Sequence, residues 1–181
     1  MRKLLVLLIS LHTGMANAQD PIVQAILDDV SIDSLIHYAS AISGEFAVNI
    51  NGNSEIISSR NKNHAGNALA ADYIQQKFES FGLNTSVQGF GAAGENILAI
   101  QTGQVYPNQT VVLCGHYDSM PTGNTSPAAD DDGSGTAALI EAVRIMSQYN
   151  FAYTLVYAAW DEEEYGLVGS NYYATQAENN Q

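Results

Sequence analysis

Cations are scarce in this 181-residue sequence: six lysines and arginines stand against 19 aspartates and glutamates, a formal net charge of −13. Such a surface repels phosphate backbones, which argues against nucleic acid as a partner. Cysteine is almost absent as well. Cys114 stands alone, so no internal disulfide can form, and its setting in VVLCG predicts a buried, inert thiol. Apart from a short leader, no apolar run approaches the roughly 20 residues that a membrane-spanning helix needs, and no stable membrane insertion is expected. Repeats and low-complexity tracts are missing too. What remains is an apolar content of 46%, that of a globular chain with room for one domain and a real core.

The first eighteen residues read separately. A basic MRK, a short apolar LLVLLISL and the small-x-small ANA at 16–18 have the form of a secretory signal peptide cleaved after Ala18. That makes the protein secreted or periplasmic; an uncleaved anchor is the alternative, and the apolar run is short for it. Removing Arg2 and Lys3 takes the charge from −13 to −15 and leaves Arg60, Lys62, Lys77 and Arg144 as the fixed cations.

Helix signals open the mature chain at Pro21 to Asp29 and at Ser31 to Ile42, with Ser31 as a cap. The Asn-, Gly- and Ser-rich stretch at 49–63 reads as a loop, which sets residues 19–63 apart from 64–181. Ala65 to Phe81 reads as a helix burying Leu69, Tyr73, Ile74, Phe78 and Phe81, stopped by Gly82. TSVQGF, NILAIQ and QTVVLCG read as strands, Ser134 to Met146 as a helix with Leu139, Ile140, Val143 and Met146 inward, and FAYTLVYAAW as a strand. A last helix begins near Leu167. The nearly all-apolar strands predict burial on both faces, as in parallel sheets covered by helices. The fold class is α/β: a mixed, largely parallel sheet flanked by helices. Ligands in such sheets bind beyond the carboxyl ends of strands, here just after Gly115 and just after Trp160.

Acids crowd both places. GHYDSM follows the first strand, and Asp118 can fix the tautomer of His116 so that its other nitrogen is free for a metal. PAADDDGSG leads into the helix with three aspartates, more than one cap requires, and neighbouring like charges destabilise unless neutralised. An EF-hand ending at Gly133 fails at Ala128 and Leu139; a nucleophile elbow on Ser134 fails at Asp132 and Thr136. After the second strand comes DEEE at 161–164, where one glutamate can bind a metal while its neighbour faces a water. Imidazole with carboxylates suits zinc better than calcium. A metal ion makes water acidic near neutral pH and a glutamate can take its proton, so the residues alone point to a metal-assisted hydrolase.

In order, GHYDS, PAADDDGSG and WDEEEYGLVGS resemble metallopeptidase family 28, the zinc exopeptidases that include bacterial leucyl aminopeptidases. The likeness extends upstream through SSRNKNHAGNALAADYIQQKFESFGL and ENILAIQTG. It implies a zinc-exopeptidase (phosphorylase/hydrolase-like) fold, with 64–181 as the N-terminal part of the peptidase domain. It implies two zinc ions, with His116 a terminal ligand of one, Glu164 a terminal ligand of the other and Asp131 the bridge. It also implies Asp118 orienting His116, Glu163 as general base and acid, a cis peptide between Asp131 and Asp132, and as substrate a peptide with a free N-terminus. Asp130, Asp161 and Glu162 match no catalytic role. The family pattern needs a further Asp and a further His, whereas after Glu164 this sequence has Glu178 and no histidine; the expectation is a chain truncated at its C-terminus, an N-terminal fragment of a longer member. Carboxypeptidases and single-zinc glutaminyl cyclases of the same fold, or an inactive metal-binding remnant, are the alternatives.

Overall fold

A computed structural model describes residues 20–120 and 123–179. The segment expected to be a signal peptide lies outside the described residues. Helix α1 (Pro21–Asp28) starts on Asp20, whose carboxylate accepts the Ile22 N–H at 2.8 Å. Helix α2 (Ile32–Ile42) starts on the expected cap, Ser31, whose Oγ accepts the Ser34 N–H. Helix α3 (Ala65–Ser80) buries Tyr73, Ile74 and Phe78, with Leu69 and Phe81 packed at the margin of the core. It ends where Gly82 turns left-handed (φ 85°), as its lack of a Cβ allows.

The stretch expected to be a loop from 49 contains a hairpin. Strands β1 (Val48–Ile50) and β2 (Asn53–Glu55) pair antiparallel across Asn51 and Gly52, both with positive φ. Asn-Gly is the pair that a two-residue hairpin turn favours. The polar residues around it hide the alternation that marks a strand.

Four strands form the main sheet: β3 (Asn84–Phe90), β4 (Gly94–Gln101), β5 (Tyr106–His116) and β6 (Tyr153–Trp160), in the order β3-β4-β6-β5. Helix α4 (Ser134–Met146) connects β5 to β6, which run parallel. The other two pairings are antiparallel, so the sheet is mixed, and the parallel share is smaller than the apolar strands suggested. Leu155, Tyr157 and Ala159 point to one face, where α2, α3 and α4 supply the main core. Val156, Ala158 and Trp160 point to the other, where Leu98 and Tyr173 join them; Tyr173 belongs to helix α5 (Val168–Asn179).

Burial on both faces holds for β6, which is interior from Thr154 to Trp160. It fails for β5. Val111, Val112 and Cys114 are exposed, because among the described residues β5 is the edge of the sheet and α5 packs on β3 and β4 instead. Cys114 is therefore an exposed thiol, not a buried one.

Candidate active site

Parallel pairing sets His116 of β5 beside Trp160 of β6, and the Tyr117 N–H donates to the Trp160 carbonyl at 2.9 Å. Both acidic segments thus leave the sheet at one edge. The aspartate turn is tied back to this edge by its last member. Asp132 Oδ2 accepts the His116 N–H at 3.3 Å, Asp132 Oδ1 accepts the Gly135 N–H at 2.9 Å, and the Thr136 hydroxyl donates to the His116 carbonyl at 2.8 Å. The first turn of α4 and the end of β5 are one hydrogen-bonded unit.

Within the wide turn Ala129–Gly133, the Asp131–Asp132 peptide is cis, as the family resemblance implied. The Asp131 side chain is 79% exposed and its Oδ1 lies 3.2 Å from His116 Nε2. The turn begins at Ala128, left-handed at φ 39°.

Beyond β6, Asp161 is buried. Its Oδ1 accepts from Asn67 Nδ2 and from the Glu162 N–H, both at 2.9 Å, and its Oδ2 accepts the Glu95 N–H at 3.3 Å. Glu162 is left-handed (φ 57°), and Lys62 Nζ sits 3.0 Å from its carboxylate and 4.0 Å from the centre of the Tyr165 ring. A single 3-10 turn follows, Glu163–Tyr165. Asp118, fully buried, accepts the N–H groups of Glu163 and Glu164 at 3.0 and 3.2 Å. Glu163 Oε2 is 3.8 Å from His116 Nε2. A left-handed non-glycine residue costs about 1–2 kcal/mol, and one stands directly before each turn: Ala128 before Ala129–Gly133 and Glu162 before Glu163–Tyr165.

The two nitrogens of His116 thus face different partners. Nδ1 is buried, accepts and donates no well-formed hydrogen bond, and lies 3.4 Å from Asp118 Oδ1. Nε2 looks onto Asp131 and Glu163. Burial works to lower the imidazole pKa, but the Asp118 carboxylate, then Asp132 and Glu163, outweigh it and raise it to about 9. Glu164 is pushed above its ordinary value by its partial burial, then by Asp131, Asp118 and Glu163. The acids repel one another and stabilise any cation in their midst.

His116, Asp118, Asp131 and Glu163 are therefore brought together, and Glu164 lies within their field. Among the described residues, no three or more His, Cys, Asp and Glu side chains close on a point tightly enough to grip an ion as they stand. Their donor chemistry, one imidazole nitrogen among carboxylate oxygens, fits zinc. Sequence reasoning gave no role to Asp132 and a structural or electrostatic one to Asp161; these two hold the two turns. Asp132 had a usable signal, an Asp three residues before Gly135 at a helix start; Asp161 had none for its contacts with Asn67 and Glu95, which are remote in sequence.

Residues 96–181 match the model of "Peptidase family M28", which marks that part of the chain as belonging to the family. It is 34% identical over 138 residues to a protein of Pyrenophora tritici-repentis described as a "Probable zinc metalloprotease", a match covering 67% of this chain and 29% of that one. It is 39% identical over 80 residues to a "probable leucine aminopeptidase 2" of Aspergillus oryzae, covering 44% and 15%. Among solved structures it resembles the LapA aminopeptidase of Legionella pneumophila, with a TM-score of 0.72 at 19% identity over 88% of this chain and 42% of that one. A glutaminyl cyclase of Bacteroides thetaiotaomicron gives a TM-score of 0.57 at 20% identity, over 74% and 47%. These last two likenesses show the fold. The chain spans under a third of the two curated relatives and under half of the two solved structures.

Proposed function

We propose that the whole protein is a secreted zinc aminopeptidase whose catalytic edge is built from these two turns. One observation carries the reading: His116 presents Nε2 to Asp131 and Glu163 while Asp118 lies against its other nitrogen. His116 and Glu164 would each hold one of two zinc ions and Asp131 would bridge them. Zinc, when bound, supplies Lewis acidity that brings the ionisation of water close to neutral pH. Asp118 would keep the proton on His116 Nδ1, which leaves Nε2 as the nitrogen that gives up its proton when zinc binds. Through the Glu163 and Glu164 N–H groups it also fixes the carboxylates of that turn. Glu163 takes the proton of the water that attacks the first peptide carbonyl, then hands it to the leaving amine. The substrate is a peptide with a free N-terminus, and the leader-like first eighteen residues support export.

The test is product analysis by mass spectrometry on one peptide with a free N-terminus and on its acetylated twin. Loss of the first residue from the free peptide alone is expected. Cleavage at the other end of both peptides contradicts the reading. Release of ammonia from a peptide with N-terminal Gln, with no residue lost, would favour the cyclase chemistry of the weaker structural likeness.

A further inference from the structure

We infer that Arg60 is a positioning residue that sets the distance between the His116 strand end and the Asp131 turn; the inference rests on the zinc-site reading above. Arg60 is wholly buried, yet among the described residues no carboxylate pairs with it. Its guanidinium donates instead to four main-chain carbonyls. Nε reaches Tyr117 at 2.7 Å, Nη1 reaches Ile42 at 2.7 Å and Pro127 at 2.8 Å, and Nη2 reaches Ala128 at 2.9 Å. Tyr117 lies between His116 and Asp118. Pro127 and Ala128 open the aspartate turn. One rigid planar group thus clamps two of the three segments that carry candidate ligands, those of His116 and Asp131, to the end of α2.

The link continues on both sides. The Ala128 carbonyl also accepts the Gly133 N–H at 3.1 Å, which closes the turn around Asp131 and Asp132. A Cβ on Gly133 would stand 2.9 Å from that carbonyl and 3.4 Å from Nη2, so the turn and the guanidinium are packed together. The main chain of Arg60 joins in: its N–H donates to Ser119 Oγ at 3.1 Å, and its carbonyl accepts from the Ser119 N–H and from Asn67 Nδ2. Asn67 in turn holds Asp161. Burial lowers the guanidinium pKa to about 10, with Asp118 and Asp132 opposing, so the group stays cationic at neutral pH behind the acids. A lysine cannot replace this fork, because an ammonium is a point donor and cannot span carbonyls on separate segments.

The test compares Arg60→Lys and Arg60→Met with Phe78→Leu, a core change in α3 away from the site, and with His116→Ala, all in the whole protein. Zinc affinity is read by competition with a chromophoric chelator, folding by circular dichroism and Tm, and turnover as kcat and KM separately. Arg60→Lys is expected to fold, to bind zinc at least tenfold more weakly and to lose kcat with KM preserved, while Phe78→Leu lowers Tm and leaves zinc affinity within twofold. The inference is overturned if folded Arg60→Lys binds zinc within twofold of the parent while His116→Ala does not. It is also overturned if Phe78→Leu weakens zinc as much as Arg60→Lys does, or if neither Arg60 variant folds. Unchanged zinc binding in His116→Ala brings down the site reading itself, and this inference with it.

Discussion

Asp118 accepts the main-chain N–H of Glu163 at 3.0 Å. A residue expected only to orient His116 therefore also holds the turn that carries the proposed base. The second oxygen does the same for Glu164. Asp118→Asn keeps the shape but trades one acceptor oxygen for a donor, and leaves a main-chain N–H facing it. We expect zinc affinity to fall by about 10–100-fold, and stability by roughly 1–3 kcal/mol from the buried group left unsatisfied. Chelator competition and thermal unfolding measure the two, and unchanged zinc affinity would contradict the double role.

Edge exposure of β5 predicts reactivity at Cys114. In the folded 181-residue chain a maleimide should label this thiol completely without denaturant, within minutes at neutral pH. Labelling that waits for unfolding would mean that the outer face of β5 is covered.

Glu141 predicts a pH dependence of stability remote from the site. Burial pushes its pKa up, but Arg144 and the Ser31 N–H outweigh that and hold it below its ordinary 4.5. Its carboxylate takes two 2.7 Å hydrogen bonds from Arg144 and one of 2.8 Å from Ser31. A depressed carboxylate stabilises the fold at pH values above its unfolded pKa, and this stabilisation is lost as pH falls through the folded value. Glu141→Gln should cost roughly 1.5–3 kcal/mol near pH 7 and flatten the acid side of the stability curve below about pH 5. Urea unfolding at pH 7 and pH 4 checks this; equal losses at both would contradict it.

The helices were legible because their ends are local chemistry: Ser31 before α2, Gly82 after α3 and the apolar spacing between them. The candidate site was legible at the strand ends, where GHYDS and DEEE follow apolar, β-branched and aromatic runs that read as strands. Arg60 was not legible, since all four guanidinium partners are main-chain carbonyls and no side chain in the sequence advertises them. The exposure of Val111, Val112 and Cys114 was not legible either. An apolar strand reads the same in the middle of a sheet and at its edge, and only the strand order distinguishes them.

The most direct test of the central claim is the zinc content of Glu163→Gln in the whole protein, measured beside its turnover on a peptide with a free N-terminus. A residue that moves the proton and does not hold the metal should leave zinc per chain unchanged while turnover falls by about 10²–10⁴-fold. Lost zinc in this variant, or turnover that survives with zinc in place, would contradict the account.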